Sequence, residues 1–425
     1  MRNLRVDIER CGKNVFAGVI SGNDSSDAVF KYDKSYLEDT DAVPISISLP
    51  LQKEAFSVAR TRSFFEGLLP EGFLRLTVAQ RMRADENDYV PVLAGLGREC
   101  LGAIMITEDT DADTQPSYEK LSIDQLRELA KEGVSKSVQL VEKAHLSLAG
   151  ASGKVGLYYD PENFFWYVPK GYAPSTHIVK QSHIRLDAIV ANEQLALTTA
   201  SELGIDVPDS HIINLGEAQE DEVLFATKRY DRLIDTDNAN VVSGLVVPKR
   251  LHQEDFAMAM GIPSINKYES RGGSHMKGMF DIVRGYSANP IEDMIKLWDI
   301  IVFDYLIGNT DNHIKNLSLL YSENLKYIRL APAYDIISTC IYETSATDMA
   351  FRIGDAYDIN EINRDSFKLA AKECGLGEKL AMNHFDKMNE QFDSAIYIAT
   401  EKLVDQGFLK AEELRDQILK VRGRR

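Results

Sequence analysis

Hydrophobic and polar positions divide the chain into stretches of different period. In residues 1–108 the apolar residues fall in short runs, "NVFAGVI", "AVFKY" and "PISISLPL", which read as β-strands, and residues 63–83 repeat at helical spacing. Residues 107–120, "TEDTDADTQPSYEK", are acidic and polar and predict a linker. "SIDQLRELAKEGV" follows as a helix, with Ser122 and Asp124 as candidate caps. Between 145 and 180, "KVGLYYD" and "FFWYVPK" face each other across "DPEN" as a hairpin, and "THIVK" makes a further strand ending at Lys180. "AIVANEQLALTTASELG" predicts a helix stopped by Gly204, and "EVLFATKRYDRL" a strand leading out of it. Beyond about residue 250 the pattern is mainly helical. Asn289 and Pro290 predict a helix start, Ile291 through Tyr305 keep helical spacing, and Gly308 predicts its end. The 364–425 tail is nearly all helix-compatible.

Composition narrows the class. A length of 425 residues suggests two or three domains, and 44% apolar with 27% charged residues is an ordinary globular balance. The net charge of −17 argues against unaided binding to nucleic acid or anionic lipid. The start "MRNLRVDIER" lacks the apolar core of a signal peptide, and "LWDIIVFDYLIG" is interrupted by Asp299 and Asp304, so no membrane span is expected. Cys11, Cys100, Cys340 and Cys374 fit no metal spacing, which with the other signs predicts a cytoplasmic protein.

The densest chemistry lies in "DYLIGNTDNHIKNLSLL", residues 304–320, where Asp311, His313, Lys315 and Asn316 crowd the end of an apolar segment. Phosphoryl transfer needs a carboxylate for the accepting hydroxyl, oxygen ligands for Mg²⁺, and a lysine on the nucleotide phosphates. Asp311 and Asn316 stand in the Asp-x4-Asn spacing of protein-kinase catalytic loops, and Asp-x-His-x-x-Asn is also a lipid-kinase order. Two predicted strands around "SEN" separate this loop from Asp335, a candidate second metal ligand. Lys180 ends a strand, and Glu193 lies on the following helix, where a lysine–glutamate pair would need it. Taken singly, each has a bland alternative: Asp311 as a turn residue, His313 as a core histidine, Lys180, Lys315 and Glu193 as solvated charges. "GASGK" fails the Walker pattern, since Leu148 stands where its first glycine belongs and Val155 where Ser or Thr belongs.

These motifs, in this order, resemble the HipA family of bacterial toxin–antitoxin Ser/Thr protein kinases over nearly the whole chain. "SISLPL" (46–51), "FFEGLLPEG" (64–72) and "GRECLGAI" (97–104) resemble its N-terminal part, and "SLAGASGK" (147–154) its phosphate loop. "THIVK", Asn192 with Glu193, and "KRYDR" (228–232) resemble its nucleotide lobe. "QEDFAMAMGIPSINKYES" (253–270), "GNTDNHIKN" (308–316) and "YDII" (334–337) resemble its helical lobe. The resemblance implies an α+β, two-lobed kinase-like fold with an extra, mostly β N-terminal subdomain and an all-helical C-terminal lobe. The expected divisions are 1–108, 118–240 (nucleotide lobe) and 241–425 (helical lobe with the catalytic loop). It further implies ATP and Mg²⁺ as cofactors, Asp311 as the catalytic carboxylate, and Asn316 and Asp335 as metal ligands. Lys180, Lys154, Ala151, Ser152, Gly153, Lys228, Tyr230 and His313 would hold the nucleotide, with Ser147 open to autophosphorylation. Ser152 and Gly153 depart from the family's bulkier or more polar loop residues. The implied partners are a helix-turn-helix antitoxin, through which alone the protein would meet DNA, and a protein substrate such as an aminoacyl-tRNA synthetase, with growth arrest and persistence as the consequence. A kinase-fold binding module serving as corepressor and a small-molecule or lipid kinase are the other readings.

Overall fold

The computed structural model describes residues 2–108, 115–132, 153–182, 186–237 and 240–424. It is an α+β structure that divides into two compact units. One comprises Met1–Gln181, Ala226–Ser264 and Leu320–Tyr327; the other comprises Ser182–Phe225, Ile265–Leu319 and Ile328–Arg425.

In the first unit, an antiparallel sheet has the order Val29–Tyr32, Lys13–Gly22, Arg2–Arg10, Ile104–Glu108. Leu4, Val6 and Ile8 alternate inward and are fully buried, as the period of two requires. Phe30 packs its ring 5.2 Å from Phe65. Two local expectations fail here. "PISISLPL" is not a strand. Its polar backbone is satisfied by side chains instead: Ile47 N–H and Ser46 Oγ donate to Glu254, Ile45 N–H donates to Tyr32 Oη, and Tyr32 Oη donates to Leu49 O. The expected helix over 63–83 is broken into Val58–Phe65, a single tight turn Glu66–Leu68, and Gly72–Arg81. Pro70 has no N–H to continue the ladder, and Gly72 sits at φ +55°. A second antiparallel sheet orders Ser117–Lys120, Phe165–Lys170, Lys154–Asp160 and His177–Gln181. The end of the expected linker is therefore a strand, with Tyr118 buried at 4.7 Å from the Tyr158 ring.

The second unit is built on helices Ile189–Glu202, His275–Tyr286, Pro290–Ile307, Arg364–Glu373, Glu378–Asp405 and Lys410–Arg422. Trp298 is fully buried, and its Nε1–H donates to Ala381 O at 3.0 Å. Gly308 ends its helix at φ +82°, as its lack of a Cβ permits. Asn289 makes no side-chain cap to the helix it precedes; its amide donates to Glu292. Residues 241–425 are not all-helical: among other short strands, Asp348–Ile353 pairs antiparallel with Ala356–Asp358. The β-favouring run "MAFRI" and Gly354 at φ +62° explain this hairpin.

Candidate active site

Helix Pro290–Ile307 delivers the 309–316 loop. Its last turn is apolar except for Asp304, which is 1% exposed. The Asp304 carboxylate accepts from Asn309 Nδ2 at 2.8 Å and from Asn312 Nδ2, and its carbonyl accepts from the Gly308 and Asn309 N–H groups. Burial pushes the Asp304 carboxyl up to about 8, and the two amide donors only partly oppose it. Asn309 is bound at both ends, because its Oδ1 accepts from Asp311 N–H at 3.1 Å. The loop closes on itself through His313 N–H to Asp311 O at 2.8 Å, Asn316 N–H to His313 O at 2.8 Å, and Asn316 Nδ2 to Asp311 O at 3.1 Å. His313, Lys315 and Asn316 are buried, whereas Asp311 is exposed.

Asp335 is partly buried and held in the left-handed region at φ +58°, which a non-glycine residue occupies only where surroundings fix it. The surroundings are visible. Ahead of it, Tyr334 Oη donates to Lys315 O at 3.0 Å and meets Ser318 Oγ at 2.7 Å. After it, Asn192 holds both the N–H and the C=O of Ser338, at 2.9 and 3.0 Å. Ser338 Oγ donates to Ile307 O, and the Thr339 and Cys340 N–H groups donate to Gly308 O. Asn316 and Asp335 are thus each one residue away from the same Tyr334–Lys315 hydrogen bond. Asn316 already uses its Nδ2, so the atom left for a cation is its oxygen. With a carboxylate at Asp335 this is a hard-oxygen pair of the kind Mg²⁺ takes alongside phosphate oxygens. Among the described residues no group of three or more His, Cys, Asp or Glu side chains is set to hold a metal by itself.

Asp311 opens on a groove of about 460 Å³ whose lining includes Tyr268, Arg271, Thr339, Asp348 and Met349. Tyr268 Oη donates to Asp311 Oδ1, and the Tyr268 ring stands edge-on to His313 at 5.2 Å.

The candidate nucleotide residues of the first unit lie on its second sheet, which also includes Val223–Lys228, and on the turn just after that strand. Lys154 and Lys180 face each other as cross-strand partners, and both are buried. Lys228 is exposed, and Tyr230 Oη donates to Gln253 Oε1. Between them, Arg229 is completely buried. It donates to Glu99 Oε1 at 3.0 Å and, through Nε and Nη2, to Asp231 at 2.9 and 2.7 Å, while its N–H binds Thr176 O. Arg232 and Arg250 also donate to Glu99, at 3.0 and 2.9 Å. Burial alone would raise the Glu99 carboxyl; Arg232, Arg250 and Arg229 overcome it and hold the group at about 2. The 228–230 segment is therefore pinned by its middle residue. Gly153 is buried at the entry to the Lys154–Asp160 strand, and Ser147, Ala151 and Ser152 lie outside the described residues.

Sequence reasoning missed Tyr268, Asn309 and Asn312, and the buried cluster around Glu99. Asp304 did leave a signal: a carboxylate interrupting a run that is otherwise apolar on every face.

The comparisons with known proteins agree with this architecture. The model of the HipA-like C-terminal domain matches residues 146–396, and that of the HipA N-terminal domain matches residues 11–107. A solved structure of the Shewanella oneidensis toxin–antitoxin system, HipA and HipB with operator DNA, superposes with a TM-score of 0.78 over 99% of this chain and 97% of that one, at 20% identity. The chain belongs to the HipA family. A Sinorhizobium fredii protein named as a proposed kinase is 32% identical, with 89% of this chain and 88% of that protein aligned. The Ser/Thr-protein kinase toxin HipA of Shewanella oneidensis is 26% identical over 83% of this chain and 80% of its own length. Among the described residues, no helix is long and apolar enough to cross a membrane.

Proposed function

We propose that this HipA-family protein is an ATP-dependent Ser/Thr protein kinase that acts as the toxin of a toxin–antitoxin pair. The observation that carries the proposal is the 309–316 loop: it exposes the Asp311 carboxylate to a groove, and the Tyr334–Lys315 bond ties it to the strained Asp335 segment. In this reading Asp311 orients the acceptor hydroxyl and takes its proton. Asn316 and Asp335 hold Mg²⁺, which would neutralise charge on the transferring phosphoryl group. Lys180 and Lys154 would meet the nucleotide phosphates, the backbone of 228–230 the base, and His313 would also serve the nucleotide. Residues 118–240 serve as the nucleotide lobe, 241–425 as the catalytic lobe and 1–108 as the added subdomain, and Ser147 is the autophosphorylation site. A DNA-binding antitoxin is the expected partner, as in the Shewanella assembly of HipA with HipB, and the substrate is a protein hydroxyl, an aminoacyl-tRNA synthetase being one candidate.

The test is transfer of labelled γ-phosphate to proteins of a bacterial lysate. Asp311→Asn keeps the shape and removes the charge, and transfer should fall by at least roughly 10²-fold, the scale of a lost acid–base group. Mg-ATP should raise the melting temperature more than ATP with EDTA, and Asp335→Ala should erase that difference. Near-parental transfer by Asp311→Asn would overturn the assignment.

A further inference from the structure

The groove beside Asp311 is already visited by a hydroxyl, that of Tyr268. The side chain is 47% exposed, yet it is aimed from a fixed base. The next residue, Glu269, donates its N–H to Ala350 O at 2.8 Å, and its carboxylate accepts from Tyr357 Oη at 2.8 Å and from His275 N–H. On the other side, Asn309 and His313 fix the Asp311 backbone. The His313 ring supports the Tyr268 ring edge-on. The phenol Oη is therefore delivered to Asp311 Oδ1 from two anchored segments. An acceptor hydroxyl would meet this same carboxylate if Asp311 is the acceptor-side group, so the inference rests on the function proposed above.

We propose that Tyr268 is a specificity-determining residue of the transfer reaction: its hydroxyl stands in for the acceptor on Asp311 and keeps water off the carboxylate until a protein Ser or Thr hydroxyl displaces it. In productive transfer the acceptor oxygen bonds to the γ-phosphorus, the bond from that phosphorus to the β,γ-bridging oxygen breaks, ADP leaves, and the hydroxyl proton passes to Asp311. Hydrolysis is the same step with water as the attacking oxygen, yielding ADP and inorganic phosphate. A water molecule must be ordered at the carboxylate to compete, whereas the tethered phenol is ordered in advance. A docked polypeptide also brings its hydroxyl tethered, and groove contacts offset the displacement of a side chain that is half in solvent.

Tyr268→Phe removes the Oη and keeps the ring against His313. ATP hydrolysis by the purified full chain, with Mg-ATP and no protein acceptor, should rise roughly 10-fold, the scale of one hydrogen bond to a charged group. The melting temperature and Mg-ATP affinity should stay unchanged, and the gain should vanish in Tyr268→Phe combined with Asp311→Asn. Hydrolysis that is unchanged, lowered or absent in Tyr268→Phe overturns the proposal, as does a gain that persists without Asp311. If the parent hydrolyses ATP and Asp311→Asn hydrolyses it equally, the reading of Asp311 fails as well. If Asp311→Asn loses hydrolysis while Tyr268→Phe matches the parent, only the role of Tyr268 fails.

Discussion

Glu99 and Asp304 are both carboxylates removed from water, one in each unit, and they end in opposite charge states. Glu99 has three guanidiniums against it and is held at about 2; Asp304 has two amides and is pushed up to about 8. Burial opposes the charged form in both cases, so the difference measures what the partners supply. Guanidiniums carry charge and outweigh desolvation. Amides carry only dipoles and do not. The two sites accordingly serve different ends. The Glu99 cluster is an ionic clamp on the residues flanking a candidate nucleotide segment. Asp304 is a largely neutral peg that sets the amides of the 309–316 loop.

The strongest way to break this contrast is Glu99→Gln, which leaves Arg229, Arg232 and Arg250 short of a counter-charge in a dry site. Urea unfolding should show a loss of about 3–5 kcal/mol. The pH dependence has a fixed sign. Because the folded-state carboxyl is depressed, its contribution is complete above about 4.5 and lost as pH falls toward about 2, so the gap between parent and variant should close on the acid side. A loss smaller than that of the next variant would refute the contrast.

Asp304→Asn comes second, at about 1 kcal/mol. The neutral acid already offers one acceptor oxygen and one O–H donor to its two amide partners; the replacement keeps that pattern but adds a second N–H, which Asn309 cannot accept without giving up Asp311 N–H. Here the folded-state group is raised, so its contribution is complete below about 3.8 and declines as pH rises through about 8. The advantage of the parent should therefore shrink between pH 5 and pH 9. Phosphoryl transfer should fall more than stability does, since the loop carrying Asp311 loses its register.

The smallest effect should come from Glu254→Gln. Glu254 is buried, pushed up to about 7, and accepts from Ser46 Oγ, Ile47 N–H and Tyr321 Oη. Two of these partners are hydroxyls that can reverse their role, so an amide is accommodated and the cost at pH 6 should stay at or below about 0.5–1 kcal/mol by thermal or urea unfolding. A larger cost would mean that this carboxyl resembles Glu99 more than Asp304.

What could be read along the chain was whatever repeats locally. Helix Pro290–Ile307 and its stop at Gly308, the strands flanking "DPEN", and the C-terminal helices follow from period and terminators. The spacing of Asp311 and Asn316, and the hairpin before Asp335, also lie within a few residues of one another. What could not be read is assembled at long range. Arg250 reaches Glu99 across 151 positions, and Glu254 meets Ser46 across 208. That second contact is why "PISISLPL", apolar enough for a strand, spends its polar groups on a side chain instead. Tyr268 gave no warning, because one tyrosine in "INKYES" has no period; only the hairpin that fixes Glu269 makes its position meaningful.

The distance spanned by the Glu99 cluster also sets a timetable for the ribosome. When the first hundred residues have emerged, Glu99 has none of its three arginines, and its acid group cannot be buried as an anion. Arg229 follows 130 positions later and Arg250 after 151. At roughly 5–20 residues per second the nascent segment must wait roughly 7–30 s for its counter-charges. During that interval the Glu99 cluster is unmade, and the pinning of the 228–230 segment waits for Arg250, before the last piece of the first unit, Leu320–Tyr327, has been synthesised.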